Sequence, residues 1–138
     1  MITALDTNVL LDILIPNEAF FSASVSAIEA SAYLGPLVVC DYVYAELCLQ
    51  FATQKECDRC LGENESLWSR LPGPRFSAGR VWREYRRRGG KRDRILPDFF
   101  VAAHAQKQAD RLLTRDREFY SSLLPSLKVV NPGAPPLR

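Results

Sequence analysis

Histidine and long apolar runs are what this 138-residue sequence has least of. It contains one histidine, and no run approaches the roughly 18 consecutive apolar residues that a membrane span requires. The N-terminus lacks the basic residues and cleavage site of a signal peptide, so we expect a cytoplasmic protein. A single histidine argues against a structural zinc site, and the cysteines match no common zinc spacing. We interpret them as buried or inert thiols: Cys40, Cys48, Cys57 and Cys60.

Basic residues are scarce in the first half of the chain and abundant in the second. Residues 1–69 carry ten acids and two bases, whereas residues 70–138 carry six acids and sixteen bases, although the net charge is only +2. The overall composition, 47% hydrophobic and 25% charged, is typical of a globular protein. The charge separation favours an acidic centre beside a basic surface, which suits a polyanion held through metal ions.

Short apolar runs alternate with helical patterns along the sequence. The runs at residues 1–5, 37–40, 111–114 and 127–130 predict strands. Such alternation predicts an α/β domain with a mostly parallel sheet. We expect one domain over residues 1–131, followed by a Pro- and Gly-rich surface tail at residues 132–138.

Several helix boundaries follow from capping residues. We expect Thr7 or Asn8 to cap the first helix, Asp41 to cap the third, and Asp98 to open a later helix directly after Pro97. The second helix is predicted at residues 20–34 and another at residues 53–71. The predicted buried face of the second helix carries four apolar residues: Phe21, Val25, Ile28 and Leu34.

Four acids share one structural context. Asp6 ends the first strand, Glu46 lies one turn into the helix after the second, Asp98 opens a helix, and Asp116 follows the third strand. The tips of parallel strands meet at one sheet edge, which is where α/β folds bind ligands. Converging carboxylates repel one another, and Mg²⁺ or Mn²⁺ would offset that repulsion. Read singly, Asp98 and Asp116 are equally suited to cap helices, and Glu46 to be a solvated helix residue.

A metal site at this edge gives each residue a role. Asp6 is the expected central ligand, with Asp98 and Asp116 as further ligands. Glu46 would bind the metal directly or through water, or would position the attacking water. Asn8 and Thr114 would hydrogen-bond the ligands.

Arginines crowd one segment just before Asp98. We expect phosphate contacts from Arg86, Arg87, Arg88, Lys91, Arg92 and Arg94. Trp82 and Tyr85 lie among these basic residues, and aromatic side chains can stack on the unpaired nucleobases of a nucleic acid. The alternative is a solvated helix face and turn, with Trp82 in the core.

Four motifs in order resemble those of the PIN-domain nucleases, and most closely the VapC-type toxins of bacterial and archaeal toxin–antitoxin pairs. They lie at residues 5–12 (LDTNVLLD), 44–47 (YAEL), 96–105 (LPDFFVAAHA) and 112–119 (LLTRDREF). Each motif alone is loose, but the four together span nearly the whole chain. The Arg-rich segment at residues 71–95 matches no motif of this family.

The resemblance implies a fold, an activity and partners. The fold is a PIN-like α/β/α sandwich with a mostly parallel central sheet of about four to five strands. The activity is Mg²⁺- or Mn²⁺-dependent cleavage of RNA, with transfer or ribosomal RNA as typical toxin targets. The partners are a second copy of the chain in a homodimer and a cognate antitoxin that covers the acidic pocket. The acidic quartet is Asp6, Glu46, Asp98 and Asp116, supported by Asn8 and Thr114.

Two other functions compete with a ribonuclease. A haloacid-dehalogenase-like phosphatase also begins with an Asp after its first strand, but its chemistry normally uses a second acid two residues on, where this chain has Asn8. A non-catalytic RNA-binding or regulatory module would share the fold, although the presence of all four acids counts against it.

Overall fold

Four short parallel strands form the centre of the fold. They are β1 (Thr3–Leu5), β2 (Leu37–Val38), β3 (Arg111–Leu113) and β4 (Lys128–Val130). In this computed structural model, which describes residues 1–15, 17–61, 84–90 and 96–133, the strands lie in the order β2-β1-β3-β4. All three pairings are parallel, with Ala4 opposite Val38 on one side and Leu112 on the other. The predicted fold class, α/β with a mostly parallel sheet, is confirmed.

Helices connect these strands. They are α1 (Thr7–Leu14), α2 (Phe21–Leu34), α3 (Asp41–Cys48), α4 (Gln54–Cys60), α5 (Leu96–Gln108) and α6 (Arg117–Leu123), and residues 84–87 form a further helical turn. From β1 the chain moves to one edge of the sheet, and from β3 it moves to the other. The order of the strands therefore reverses between β1 and β3, and ligands of open α/β folds bind outside the strand tips at such a point.

The core lies on and around the two inner strands. Every residue of β1 and of β3 is buried, which fits strands covered on both faces and read as continuous apolar runs. Val43 and Leu47 of α3 and Phe99 of α5 are fully buried, as the helical spacing of α3 predicts. This packing fixes the positions of the strand ends. It therefore also fixes where the residues that follow each strand begin.

Three helix starts differ from the predictions. Asp6, not Thr7 or Asn8, caps α1, because its Oδ1 accepts a hydrogen bond of 2.7 Å from the Thr7 backbone N–H. Helix α3 has Cys40 at its cap position, and Asp41 is its first helical residue. Helix α5 begins at Leu96, so Asp98 lies within its first turn rather than opening it.

The buried face of α2 was predicted wrongly at both ends. Phe21 and Leu34 are 39% and 49% exposed, while the fully buried positions are Ser24 and Ser31. Ser24 is buried because its Oγ donates a hydrogen bond of 2.7 Å to Oδ2 of Asp12 on α1. The buried side of α2 thus passes through two serines, whose hydroxyl groups are hydrogen-bonded, and not through the ends of the predicted apolar face.

Some predictions fall partly or wholly beyond the described residues. Helix α4 confirms the start of the helix predicted at residues 53–71, but residues 62–71, Trp82 and residues 134–138 of the tail lie outside. Cys40, Cys57 and Cys60 are free thiols, with the first two buried. Within the described part of the chain, no helix has the length and apolar character to cross a bilayer.

Gly35, which follows α2, is expected to tolerate no side chain. Its φ is +151°, and a Cβ there would lie 2.3 Å from the backbone oxygen of Met1. Gly89 also has a positive φ, +79°, but nothing lies within 4 Å of its would-be Cβ. We predict that Gly35→Ala lowers the free energy of unfolding by about 1–3 kcal/mol more than Gly89→Ala does, because only Gly35→Ala adds overpacking to backbone strain. Urea unfolding measures both variants, and equal losses would contradict the predicted clash.

Candidate active site

Asp6 lies directly after β1, at the point where the strand order reverses, and is only 8% exposed. Its Oδ1 accepts from the Thr7 backbone N–H. Its Oδ2 accepts from Thr114 Oγ1 at 2.7 Å and from Asn8 Nδ2 at 3.1 Å. The carboxylate is therefore held by α1 on one side and by the residue after β3 on the other.

Thr114 and Asn8 link Asp6 to the loop that carries Asp116. Asn8 Nδ2 also donates to Thr114 Oγ1 at 3.2 Å, and that oxygen accepts from the Asp116 backbone N–H at 3.0 Å. Asp116 occupies the cap position of α6, but its side chain makes no cap hydrogen bond there. The backbone of Asp116 is thus bonded to the same hydroxyl that bonds Asp6.

Glu46 is joined to the same region by a hydroxyl group. It lies in α3 and is half-buried, and its Oε2 accepts a short hydrogen bond from Oγ1 of Thr7. Thr7 follows Asp6 in sequence, so one residue of α1 connects the two acids. A hydrogen bond from a hydroxyl fixes where the Glu46 carboxylate points.

The acids interact electrostatically. The pKa of Asp6 is raised from 3.8 to about 6, chiefly because burial removes its carboxylate from water. Hydrogen bonds from Thr114 and Thr7 oppose the rise, and the negative charges of Asp98 and Glu46 add to it. Glu46 and Asp98, which lies in the first turn of α5, are therefore close enough to Asp6 to raise its pKa.

A buried tyrosine lies behind the acids. Tyr120 of α6 is 2% exposed, and burial is the main cause that raises its pKa above the ordinary value. Asp6, Asp98 and Asp116 all raise it further, which ties all three acids to one neighbourhood. Burial likewise raises the pKa of the Cys40 thiol, with Asp6 again contributing. The floor of the acidic site is thus poor in water, and charges there are weakly screened.

The donor set suits a hard divalent cation. Among the described residues, no three His, Cys, Asp or Glu side chains already stand at metal-binding distances from one another. Mg²⁺, however, usually keeps several waters and uses only one or two carboxylates, with substrate phosphates completing its shell. Asp6, whose charge is penalised by burial and by neighbouring acids, is a carboxylate that a cation would stabilise.

Some residues of this site escaped sequence reasoning. Thr7 was considered only as a cap, and Tyr120 and Asp12 were given no role. Thr7 had a usable signal, because it lies between Asp6 and Asn8 on the first turn of α1. Tyr120 had none, because a tyrosine on a short helix is ordinarily a core residue, and Asp12 had none, because apolar spacing places it on the solvent side of α1.

The predicted basic segment is only partly described. Arg86, Arg87 and Arg88 are exposed, and Glu84 pairs with Arg87 at 3.5 Å and with Arg88 at 2.9 Å. Lys91, Arg92 and Arg94 lie outside the described residues. Tyr85 is not free to stack on a base, because its ring packs against Phe99 and Phe119 with centroids 5.2 and 6.0 Å apart.

The turn formed by these arginines borders a groove of about 680 Å³. The residues that line it include Arg87 and Arg88, Lys107 near the end of α5 and Ser126 after α6. Asp98 and Asp116 lie at the other ends of these two helices. The groove therefore lies about 14 Å along α5 from Asp98, at about 1.5 Å per residue.

Comparisons with known proteins give one matching family model and several solved structures with the same fold. The PIN domain family model matches residues 3–121. Among curated proteins no significant match to the sequence was found. Solved structures with the same fold include VapBC2 from Rickettsia felis bound to a DNA fragment from their promoter, with 20% identity, a TM-score of 0.66, and 95% of this chain and 98% of that one covered.

Two further structures give similar values. FitAcB from Neisseria gonorrhoeae has 19% identity and a TM-score of 0.69. VapBC-1 from nontypeable Haemophilus influenzae has 17% identity and a TM-score of 0.69. Each match covers 96% of this chain and 98% of the other, so the likeness extends over the whole fold.

The raised pKa of Asp6 predicts a pH-dependent difference between the wild type and Asp6→Asn. Since the folded pKa, about 6, exceeds the ordinary 3.8, the stability that Asp6 contributes is full below pH 3.8 and is lost as the pH rises through 6. Asp6→Asn has no such loss. We therefore expect Asp6→Asn to gain up to about 3 kcal/mol relative to the wild type between pH 4 and pH 8. Urea unfolding in EDTA measures it, and a pH-independent difference would contradict the raised pKa.

Proposed function

Since this chain belongs to the PIN domain family, we propose that it is a Mg²⁺- or Mn²⁺-dependent endoribonuclease that hydrolyses RNA phosphodiester bonds. PIN domains are in general nucleases. What we propose beyond this is that the substrate is RNA and that cleavage needs a metal ion. The observation that carries the proposal is the carboxylate of Asp6, which lies at the reversal of strand order and is bonded to Thr114. Its pKa is raised chiefly by burial and further by the charges of Asp98 and Glu46.

The proposed metal ligands are Asp6, Asp98 and Asp116. Glu46 either completes the ligand set or orients the attacking water, and its short hydrogen bond from Thr7 supports a fixed orientation. A bound divalent ion would activate that water and offset the charge that develops on the phosphoryl oxygens. Asn8 and Thr114 hold Oδ2 of Asp6, and the Thr7 backbone N–H holds Oδ1, which limits the reorganisation needed when the ion and the phosphate arrive.

Glu46 is also a candidate proton acceptor, since it is half-buried and close to Asp6. Tyr120 excludes water from the floor of the site, which strengthens the interaction of each carboxylate with any cation. The nucleophile in this scheme is water rather than the ribose 2′-hydroxyl, so the products carry 5′-phosphate and 3′-hydroxyl ends.

We further propose that the protein is the toxin of a VapBC-type toxin–antitoxin pair, works as a homodimer and is inhibited by a cognate antitoxin. Support comes from the four motifs and from the structural relatives named VapBC2 and VapBC-1, whose chains align with this one almost end to end. Transfer or ribosomal RNA is the proposed substrate. The cytoplasm is the proposed location, because these RNAs are found there.

The RNA backbone is proposed to run from the acids toward the basic turn and its groove. Arg86, Arg87 and Arg88 are exposed, and Glu84 pairs with two of them. Together with Lys107 the arginines carry four positive charges, against the one negative charge of Glu84. Released counterions would then supply much of the binding free energy. Lys91, Arg92 and Arg94 stay proposed contacts on the strength of the sequence.

The hydrogen bonding of Asn8 argues against the phosphatase alternative. That side chain donates to Asp6 Oδ2, so it supports Asp6 and does not supply a second acid. The non-catalytic alternative differs from ours in one measurable respect, which is whether RNA is cut.

We predict that Asp6→Asn and Asp98→Asn each abolish metal-dependent RNA cleavage, because each removes a charged ligand oxygen. The control is Glu118→Gln, which neutralises an exposed acid in the first turn of α6 and should cleave like the wild type. Folding is checked by circular dichroism and cleavage by gel electrophoresis with analysis of the product ends. Undiminished cleavage by either Asn variant, or a cyclic phosphate end, would defeat the assignment.

The basic turn should set the salt dependence of RNA binding. We predict that replacing Arg86, Arg87 and Arg88 together by Gln flattens the plot of log affinity against log salt by roughly 2, at about 0.7 per lost contact to a single strand. The matched control replaces the exposed Lys55, Arg59 and Lys128, on other elements, and should leave the slope unchanged. Fluorescence anisotropy with labelled RNA measures it. An unchanged slope in the arginine variant would assign the phosphate contacts to another surface.

A further inference from the structure

Arg115 separates Thr114 from Asp116, yet its side chain belongs to a different cluster. Its Nε lies 3.0 Å from Oδ2 of Asp12 on α1. The N–H of that nitrogen is buried and misaligned for a hydrogen bond, so the contact is an ion pair. Its guanidinium carbon lies 4.3 Å from the centre of the Phe20 ring, at cation–π distance.

Asp12 is built to hold a buried charge. It is 2% exposed, and its Oδ2 also accepts from Ser24 Oγ at 2.7 Å. A carboxylate this deep is costly unless it is paired, and the cation closest to it in the described structure is Arg115. The ion pair therefore ties the loop after β3 to α1 and α2 together.

The backbone of Arg115 is tethered as well. Its N–H donates to Asn8 Oδ1 at 3.1 Å, and its carbonyl oxygen accepts from Asn131 Nδ2 at 3.2 Å. The residue before it, Thr114, bonds Asp6, and the residue after it is Asp116. With its side chain and both backbone groups engaged, Arg115 has little freedom to move between these two acids.

We infer that the Arg115–Asp12 ion pair, seated on Phe20, is a positioning device that fixes the loop between Thr114 and α6 and so holds Asp116 near Asp6. Arg115 is in this view not an RNA contact, although it is a base beside the acidic site. The inference rests on the proposed function, because it concerns metal binding by Asp116.

The test is Arg115→Met, which keeps the length of the side chain and removes its charge. Mn²⁺ affinity is measured by calorimetry without RNA, and we expect a loss of about tenfold, the lower end for residues that orient metal ligands. RNA affinity without metal, and its salt slope, should match the wild type. Excess Mn²⁺ should restore the cleavage rate, since the ligands themselves are intact.

The matched control is Arg117→Met, which removes an exposed positive charge two residues further along and should leave Mn²⁺ affinity unchanged. If Arg115→Met does not fold, Phe20→Leu takes its place, since it removes the cation–π contact of the guanidinium group and leaves the ion pair with Asp12 in place. That variant should lower Mn²⁺ affinity by about twofold to fivefold.

Three results would overturn the inference. One is unchanged Mn²⁺ affinity in Arg115→Met, or in Phe20→Leu where that variant takes its place. Another is a weaker RNA affinity with a flatter salt slope in Arg115→Met, which would make Arg115 a phosphate contact. The third is an equal loss of Mn²⁺ affinity in Arg117→Met, which would make the effect one of overall charge. A wild-type protein that binds no Mn²⁺ would instead defeat the proposed function itself.

Discussion

The hydrogen bond between Thr114 and Asp6 joins the tips of the two central strands, and the rest of the site depends on it. It places a carboxylate where water is largely excluded, and burial raises the pKa of that carboxylate to about 6. Around it, Asn8 bonds both partners, Thr7 reaches Glu46, and the backbone of Asp116 bonds the threonine. A parallel sheet favours this arrangement, because the ends of strands that are adjacent in the sheet are neighbours even when their residues are far apart in sequence.

The fold was predictable from the sequence because its signals are local. Buried parallel strands are rich in apolar residues, and β1 and β3 are buried throughout and lie within the predicted runs, although Met1 and Ile2 at the start of the first run are exposed. The positions of Asp6, Glu46 and Asp116 relative to the strands followed from the same runs. Helix starts were less predictable, since Asp6 serves at once as a cap and as the centre of the site, and capping preferences alone cannot assign both roles.

What sequence reasoning missed consists of contacts between distant residues. The burial of Ser24 in α2 is explained only by its hydrogen bond to Asp12, and the burial of Asp12 only by its ion pair with Arg115, about a hundred residues away. Apolar spacing cannot reveal such a cluster, because it treats Ser24 and Asp12 as surface residues. Tyr120 is similar, since its relation to the acids depends on how α6 packs.

The charge asymmetry of the chain acquires a physical sense in this fold. Asp6 and Glu46 from the first half lie near Asp98, and Asp116 lies near the same buried Tyr120 as Asp6 and Asp98. The exposed Arg87, Arg88 and Lys107 line a groove at the other end of α5. Diffraction from a crystal soaked in Mn²⁺ and measured at the manganese absorption edge tests the central claim most directly. We expect an anomalous peak within about 2.5 Å of carboxylate oxygens of Asp6 and at least one of Asp98 and Asp116. A soaked crystal with no peak among these acids would contradict the proposal that they form a metal-dependent nuclease site.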